Sequence, residues 1–241
     1  DRLGRQGYDI ASTQQGHGTI DGLARVQLVV GEGDFGLHEK RGGFCFGSGT
    51  VRAMLRPVNT SGKRARNLIL IGFMGTGKTT VGQRVARSLG FRFVDTDKLI
   101  VKQTGKPIPK IFEESGEDFF RSLETAVLRE CGTGENQVIS TGGGIVTRPE
   151  NHELLKAAGY VIWLKTAPEI IYERVRRNRN RPLLKTADPL QTIRDLLEIR
   201  KPLYDACADL SITTDHLTME ETCYGVTESA RLALGGEPDS E

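Results

Sequence analysis

The sequence predicts a three-layer α/β/α domain with a central five-stranded parallel sheet. From Asn67 onward, short apolar runs alternate with helical patterns, and this order is typical of a parallel sheet covered by helices. The first apolar run, Leu68 to Ile71, is unbroken, so it fits a strand that is buried on both faces. A glycine-rich turn and an amphipathic helix follow it directly. With 241 residues, the chain is long enough to bury one core of this size.

The turn after this first strand has the pattern of a phosphate-binding loop. The fixed places of the pattern G-x-x-x-x-G-K-[ST] are filled by Gly72, Gly77, Lys78 and Thr79, with Gly75 between them. Glycines let successive backbone N–H groups turn toward a polyphosphate, and the positive end of the following helix adds its dipole. We expect Lys78 to reach the β- and γ-phosphates of a nucleotide and Thr79 to ligate the Mg²⁺ that bridges them. The alternative is a glycine-rich turn that arose by chance and binds nothing.

The rest of the domain follows as alternating strands and helices. Further strands are predicted at four apolar runs: Phe91 to Val94, Gln137 to Ser140, Tyr160 to Leu164 and Leu210 to Thr213. Helical patterns occupy the segments between and after them: Lys98 to Lys102, Ile108 to Glu114, Glu117 to Glu130, Pro149 to Ala158, a helix that begins at Pro168, Pro189 to Ala208 and Met219 to Leu234. The domain is therefore expected to span residues 67–235, and residues 236–241 are expected to form a loose polar tail.

Residues 1–66 differ in composition from the rest of the chain. Frequent glycines interrupt any helical or strand period, and only Ala24 to Val30 resembles a strand, so this segment is not expected to form a core. A flexible extension is the favoured interpretation, and a small glycine-rich β module is the alternative. The acidic residues of the segment disfavour an organelle transit peptide. A further hypothesis is that translation begins near Met54 and that the preceding residues are an extended reading of the gene.

Composition and charge disfavour several classes of protein. The formal net charge of +2 gives no reason to expect a nucleic-acid partner. No apolar run approaches the length needed to span a bilayer. The cysteines fit no zinc spacing, which favours reduced thiols and a cytoplasmic location. These cysteines are Cys45, Cys131, Cys207 and Cys223. The four histidines are interpreted as surface residues, and we expect a monomer.

Two aspartates follow the second predicted strand. Ligands of an open parallel sheet bind outside the carboxyl ends of the strands, so residues at these ends should converge with the phosphate-binding loop on one crevice. Asp95 and Asp97 are two positions apart and, in extended chain, face the same way. One carboxylate could then be directed at the metal ion and the other at an incoming nucleophile. The alternative is that Asp97 only caps the next helix.

Three further features indicate substrate binding. Residues 142–144 are all glycine and either bring a ligand close to the backbone or form a tight turn. Arg121 and Glu124 share a helix face. As an exposed ion pair they would contribute at most about 1 kcal/mol to stability. If Glu124 instead holds the guanidinium in place, Arg121 could bind an anionic substrate in bidentate fashion. The arginines from Arg174 to Arg181 could form a solvated face, a nucleic-acid patch or a lid. A lid is favoured because no aromatic residues are interleaved.

Six motifs together resemble the shikimate kinase family. They occur in the family's order and approximate spacing: GFMGTGKT at 72–79, DTD at 95–97, FR at 120–121, TGGG at 141–144, RPLL at 181–184 and RKPLY at 200–204. The phosphate-binding loop alone is shared by a very large class of proteins, but the six motifs together are specific. The resemblance covers about Asn67 to Leu234 and implies a P-loop kinase fold with a lid segment. Residues 1–66 depart from the family pattern, because the single-domain members lack them.

The resemblance implies the residues of the nucleotide site. The implied ATP contacts are Gly75, Thr76, Gly77, Lys78, Thr79, Thr80, Arg177 and Arg181, of which Lys78 and Arg181 are also implied to be catalytic. Mg²⁺ is implied as the cofactor, with Thr79 as a ligand and Asp95 supporting the water shell of the metal. Thr213 to Asp215 fall, more loosely, where the adenine-contacting loop of the family lies.

The resemblance also implies the acceptor site and the reaction. Asp97 is implied to bind the shikimate hydroxyls and to assist deprotonation of the attacking one, and the remaining implied contacts are Arg121, Gly143, Gly144 and Arg200. The implied reaction transfers the γ-phosphoryl group of ATP to the 3-hydroxyl of shikimate, a step of chorismate and aromatic amino-acid biosynthesis.

Two alternatives to this function remain open at the level of the sequence. A P-loop kinase of another small hydroxy acid, such as gluconate, has no evident use for both Arg121 and Arg200. A shikimate-kinase-like binding protein that has lost catalysis is disfavoured by the presence of Lys78, Asp97 and Arg181.

Overall fold

The computed structural model describes residues 66–176, 184 and 186–235, together with the backbone of four short strands nearer the N-terminus. These four strands are β1 (Val26–Leu28), β2 (Leu37–Lys40), β3 (Gly43–Phe46) and β4 (Gly49–Ala53). β2, β3 and β4 pair with one another in an antiparallel sheet. β1 lies within the segment from Ala24 to Val30 that resembles a strand in the sequence. The division of the chain at residue 66 remains a prediction.

The predicted five-stranded parallel sheet is confirmed. Its strands are β5 (Leu68–Ile71), β6 (Arg92–Asp95), β7 (Gln137–Ser140), β8 (Tyr160–Lys165) and β9 (Leu210–Thr213). They lie in the order β6-β7-β5-β8-β9, and β1 extends the sheet by pairing in parallel with β9. The strand that precedes the phosphate-binding loop is therefore central, with the strand that ends in the glycine triplet beside it.

The predicted helices surround this sheet. They are α1 (Lys78–Leu89), α2 (Thr96–Thr104), α3 (Ile108–Gly132), α4 (Glu150–Ala158), α5 (Pro168–Val175), α6 (Pro189–Cys207) and α7 (Met219–Leu234). The two helical patterns on either side of Gly116 form the single element α3, which is broken at that glycine by a φ of 79°. A short 3₁₀ turn, Ile145–Thr147, follows the glycine triplet and was not expected from the sequence.

The side chains of β5 show how the three layers are built. Alternate residues of a strand point to opposite faces of the sheet. Leu68 and Leu70 join the apolar layer that includes residues of α1 and α7. Ile69 and Ile71 join the layer that includes residues of α3, α4 and α6. All four side chains have no solvent exposure, as expected for a central strand of a parallel sheet.

Two local expectations are corrected by the structure. His152 is half-buried, and its Nε2 lies within hydrogen-bonding distance of the carbonyl oxygen of Val146 (2.8 Å), so it is not simply a solvated surface residue. The second helix begins at Thr96 rather than Lys98, because the Asp95 side chain caps it. Within the described part of the chain, no helix combines the length and the apolar character that a membrane span requires.

Asn67 joins the three central strands at their amino ends. Its side-chain Nδ2 donates hydrogen bonds to the carbonyl oxygens of Gly134 (2.8 Å) and Ala158 (2.9 Å), which precede β7 and β8. Its Oδ1 accepts a hydrogen bond from the backbone N–H of Gln137 (3.0 Å). The side chain is completely buried. One amide group therefore aligns the strands whose opposite ends carry the phosphate-binding loop and the glycine triplet.

Replacing Asn67 with Ala is expected to destabilise the protein by about 1–3 kcal/mol, because the backbone N–H of Gln137 would remain buried without its acceptor. Urea unfolding followed by circular dichroism measures this change. Gln191→Ala is the control, since Gln191 is exposed and its substitution should change the free energy of unfolding by less than about 0.5 kcal/mol. An equal effect of the two substitutions would contradict the role given to Asn67.

Candidate active site

The phosphate-binding loop uses glycine where the backbone is left-handed and closely surrounded. Gly75 has a φ of +80°, and a Cβ at this position would lie 2.7 Å from a methyl group of Val175. Gly77 has a φ of 93° and forms the N-cap of α1 without a side-chain capping bond. The N-terminus of α1 therefore presents backbone N–H groups to the loop, as an anion site requires.

Lys78 is held against the same loop. Its Nζ donates hydrogen bonds to the carbonyl oxygens of Gly72 (2.8 Å) and Phe73 (2.7 Å), and the residue is only 7% exposed. The Thr76 hydroxyl also donates to the Phe73 carbonyl (2.9 Å). The ammonium group thus lies where phosphate oxygens bound by the loop would meet it.

Thr79 and Asp95 form a pair of oxygen donors beside the loop. The Thr79 Oγ1 donates a hydrogen bond to Asp95 Oδ2 at 3.0 Å, and Asp95 Oδ1 accepts one from the backbone N–H of Lys98 at 3.2 Å. Hydroxyl and carboxylate oxygens are the ligands that Mg²⁺ prefers, either directly or through its water shell. The arrangement therefore fits a magnesium ion held with a bound nucleotide.

Asp97 does not occupy an extended strand, and in this respect the sequence interpretation is wrong. Asp95 is the residue that caps α2, whereas Asp97 belongs to the first turn of that helix. The two carboxylates nevertheless line one cavity. A Cβ on Gly142 would lie 2.8 Å from Asp97 Oδ1, so the carboxylate sits directly against the backbone of the glycine triplet.

The glycine triplet is positioned by side chains from α6. The hydroxyl of Tyr204 donates a hydrogen bond to the carbonyl oxygen of Gly143 (2.5 Å), and Arg200 Nη1 donates to the same oxygen (3.3 Å). Burial raises the pKa of the Tyr204 phenol, which keeps the hydroxyl protonated as a donor. Its ring stacks on Trp163 with centroids 5.3 Å apart. Tyr204 is therefore a positioning residue that sequence analysis treated only as part of a motif.

Arg121 lies beside the glycine triplet and is bound by two carboxylates. Its Nη1 donates to Glu124 Oε2 (2.6 Å), while Nη2 and Nε both donate to Glu117 Oε1 (2.6 and 3.1 Å). A Cβ on Gly144 would lie 2.0 Å from Arg121 Nη1, so only glycine permits this approach. The side chain of Glu117 is half-exposed, whereas that of Glu124 is 1% exposed. Glu117 is therefore the partner that an incoming carboxylate could displace.

Glu124 is a buried carboxyl group in an unusual setting. Its pKa is raised to about 7, because the effect of burial, together with the negative charge of Asp97, outweighs the pairing with Arg121 that lowers it. Its Oε1 has no hydrogen-bond partner among the described residues and lies against Gly142. Glu124 thus fixes the Arg121 guanidinium through Nη1, on its buried side. Nε and Nη2 face the half-exposed Glu117.

These elements surround a cavity of about 410 Å³ at the carboxyl ends of the strands. Its lining joins the phosphate-binding loop, the two aspartates and the glycine triplet, and it includes Gly75, Gly77, Lys78, Thr79, Thr80, Asp95, Asp97 and Gly143. We call it the donor cavity. Arg174 and Met219 also line it, and Arg174 Nη1 donates to the Gly75 carbonyl (3.2 Å). Sequence analysis placed Arg174 in the arginine patch that was favoured as a lid, and it did not single out Met219 for this site.

Several expected site residues lie elsewhere. Arg121, Arg200 and Gly144 do not line the donor cavity. Arg200 adjoins it through the carbonyl oxygen of Gly143, and Arg121 lies against Gly144, the next residue along the chain. Three other expected site residues are also absent from the described wall of the donor cavity and line a second cavity instead. They are Thr76, Thr213 and Asp215. The lid arginines Arg177 and Arg181 lie outside the described residues, and their roles remain predictions.

The fold and the site together define a P-loop kinase. The central strand of a parallel sheet leads into a phosphate-binding loop, and the segments that follow two other strands contribute a carboxylate pair and a glycine-rich wall to the same cavity. The family model for shikimate kinase matches residues 74–231. The chain belongs to the shikimate kinase family.

Individual relatives agree with this assignment. A shikimate kinase of Caldanaerobacter subterraneus subsp. tengcongensis is 47% identical over 156 residues, which cover 65% of this chain and 91% of the relative. One of Thermodesulfovibrio yellowstonii is 45% identical over 171 residues, covering 70% of this chain and 98% of the relative. The solved structure of Acinetobacter baumannii shikimate kinase in complex with shikimate is 42% identical, with a TM-score of 0.66 and coverage of 71% of this chain and 94% of that chain.

Replacing Glu124 with Gln is expected to remove a pH-dependent contribution to stability. Because the pKa of Glu124 is raised by folding, the contribution is fully present below about pH 4.5 and is lost as the pH rises to about 7. The melting temperature of the parent protein, relative to that of Glu124→Gln, should therefore fall between about pH 5 and about pH 8. The control Glu113→Gln, at an exposed position of α3, should show no such trend. A parent advantage that grows with pH would contradict the assignment.

Proposed function

We propose that this chain catalyses transfer of the γ-phosphoryl group of ATP to the 3-hydroxyl of shikimate, giving shikimate 3-phosphate and ADP. Its membership of the shikimate kinase family makes it an ATP-dependent phosphotransferase. The observation that carries the proposal is the shared cavity, in which Asp97 lies between the phosphate-binding loop and the glycine triplet. The expectations of a cytoplasmic, monomeric enzyme that binds no nucleic acid remain predictions.

The donor half of the site would bind ATP with its phosphates on the loop. The backbone N–H groups at the start of α1 and the Lys78 ammonium face this position. Thr79 and Asp95 would hold Mg²⁺ with the nucleotide, directly or through water. When bound, the ion neutralises charge that develops on the phosphate oxygens.

The acceptor half would hold shikimate between two arginines and the triplet. Arg121 and Arg200 adjoin Gly144 and Gly143, and together they supply the positive charge and the donors that a carboxylate needs. The Arg200 guanidinium also lies over the Phe73 ring, 5.5 Å from its centroid, which fixes it relative to the loop. The ring of shikimate would then lie along the glycine backbone, with its hydroxyls toward Asp97.

Asp97 is the proposed general base. The 3-hydroxyl oxygen of shikimate attacks the γ-phosphorus while its proton passes to the Asp97 carboxylate, and the bond from that phosphorus to the bridging oxygen of ADP breaks. Water must be excluded during this step, since otherwise ATP would be hydrolysed. Closure of a lid that carries Arg177 and Arg181 is the proposed means.

A coupled assay of ADP release tests the function. Shikimate should stimulate ADP release from ATP and Mg²⁺, and gluconate at the same concentration should not. Stimulation by gluconate would favour a kinase of another hydroxy acid. Absence of turnover with both compounds would favour a binding protein that has lost catalysis.

Replacing Asp97 with Asn is expected to lower kcat by about 10²–10⁴-fold, because the base is lost while its shape is kept. Calorimetric titration with ADP and Mg²⁺ should give nearly the affinity of the parent protein. Asp118→Asn, at a fully exposed position of α3, serves as the control and should leave both quantities unchanged. A parallel loss of nucleotide affinity would instead assign Asp97 to the metal site.

Replacing Glu117 with Gln is expected to lower the KM for shikimate by about two- to fivefold with little change in kcat. Glu117 competes with the substrate carboxylate for Arg121 Nε and Nη2, and an exposed ion pair of this kind is worth about 0.2–1 kcal/mol. Glu113→Gln is the control, because Glu113 is an exposed glutamate of α3 on the other side of the break at Gly116. An increase of KM in Glu117→Gln would mean that Glu117 supports the clamp rather than competing with the substrate.

A further inference from the structure

A buried threonine separates the two aspartates of the donor cavity, and the proposed mechanism does not use it. Thr96 is the first residue of α2, between the cap Asp95 and the proposed base Asp97. It has no solvent exposure, and it is absent from the described lining of the donor cavity. Any part that Thr96 plays in the reaction is therefore exerted through the groups that it contacts.

The Thr96 hydroxyl binds the backbone of the glycine triplet. The N–H of Gly142 donates a hydrogen bond to Thr96 Oγ1 at 3.2 Å, although the two residues are 46 positions apart. The pairing of β6 with β7 ends at Asp95 and Ser140, because the chain after Asp95 turns into α2. The hydroxyl thus supplies a hydrogen-bond acceptor to the amide of a buried residue beyond the end of the paired strands.

The residue before Gly142 is bound to a different element. The backbone N–H and the hydroxyl of Thr141 both donate to the carbonyl oxygen of Leu70, at 3.2 and 3.0 Å. Thr141 is therefore attached to the strand that leads into the phosphate-binding loop, and Gly142 is attached to the helix that carries Asp97. The Thr96 bond thus connects this helix to a segment that is also fixed to the donor half of the site.

The position of the Asp97 carboxylate depends on this connection. A Cβ on Gly142 would lie 2.8 Å from Asp97 Oδ1, so the carboxylate and the Thr96 hydroxyl meet the same glycine. Lengthening the Thr96 bond would move the first turn of α2, and the carboxylate with it, relative to the backbone along which shikimate is proposed to lie. A general base must stay within hydrogen-bonding reach of its proton, and a misplacement of about 1 Å can lower a rate by about 10²-fold.

We infer that Thr96 is a positioning residue of phosphoryl transfer, because its hydroxyl, bonded to the Gly142 amide, fixes the distance between the Asp97 base and the glycine triplet. The inference rests on the proposed function, since it concerns one step of that reaction. The alternative is that the hydroxyl contributes only to the stability of the fold. The two interpretations differ in the turnover expected of folded protein that lacks the hydroxyl.

Thr96→Val removes the hydroxyl and keeps the branched shape of the side chain. In the full chain, with saturating ATP, Mg²⁺ and shikimate, kcat should fall by about tenfold, because a methyl group cannot approach the amide as closely as an oxygen does. Calorimetry should give the ADP affinity of the parent. Thr96→Ser restores the hydrogen-bond acceptor and should keep kcat within about threefold of the parent. The matched control is Thr222→Val, which removes a buried hydroxyl that donates within α7 to the Thr218 carbonyl (2.8 Å), and it should leave kcat unchanged.

The combination with Asp97→Asn separates positioning from stability. If the hydroxyl acts through the base, adding Thr96→Val to Asp97→Asn should lower kcat by less than about twofold, because the base is already lost. An equal loss in both backgrounds, or a parental kcat in Thr96→Val, would overturn the inference and leave the proposed function standing. Absence of shikimate-stimulated ADP release from the parent would overturn both.

A second variant keeps the test available if Thr96→Val does not fold. Thr96→Cys replaces the hydroxyl with a thiol, which is a weaker hydrogen-bond acceptor. Its kcat should lie below that of Thr96→Ser, and equal kcat values of these two variants would argue that the hydroxyl has no part in positioning the base.

Discussion

The close approach of the glycine triplet to its neighbours sets the spacing of the whole site. A Cβ on Gly142, Gly143 or Gly144 would lie 2.3 Å from a Glu124 oxygen, 3.0 Å from the Met74 nitrogen and 2.0 Å from an Arg121 nitrogen, respectively. The backbone of the triplet thus contacts the phosphate-binding loop on one side and the buried side chains of Glu124 and Arg121 on the other. A side chain at Gly142 or Gly144 would displace the end of the Glu124 or Arg121 side chain, and one at Gly143 would press on the loop backbone. Phosphoryl transfer depends on the placement of these groups.

The electrostatics of the site follow from the same compactness. Arg121 and Glu124 are both almost fully buried, so each needs the other, and breaking such a pair is far more costly than its formation is favourable. Asp97 adds a second negative charge and Arg200 a second positive one nearby. Before substrate enters, the two positive charges therefore nearly balance the two negative ones. The half-exposed Glu117 is the additional carboxylate that a substrate can replace. A substrate carboxylate can replace it without leaving an arginine buried alone.

Sequence patterns predicted the parts of this structure that depend on local chemistry. The strand at Leu68–Ile71 followed from an unbroken apolar run, and the phosphate-binding loop from its glycines and Lys78. Two contacts could not be predicted. Asp95 caps α2, which is decided by backbone geometry, and Tyr204 binds the Gly143 carbonyl, which is 61 positions away in the chain. Periodicity contains no information on such distant contacts. The second cavity could not be predicted for the same reason, since four separate segments of the chain line it.

The amide of Asn67 has a consequence for the order in which the molecule assembles. Its three hydrogen bonds join residues that are 67, 70 and 91 positions apart in the chain. Closing such long loops costs conformational entropy before the contacts themselves stabilise the chain, so we expect the centre of the sheet to form late in folding. On the ribosome, the phosphate-binding loop would emerge long before the strand that completes its support. A nascent chain that ends before residue 160 therefore has the loop sequence but lacks the framework that gives the loop its shape.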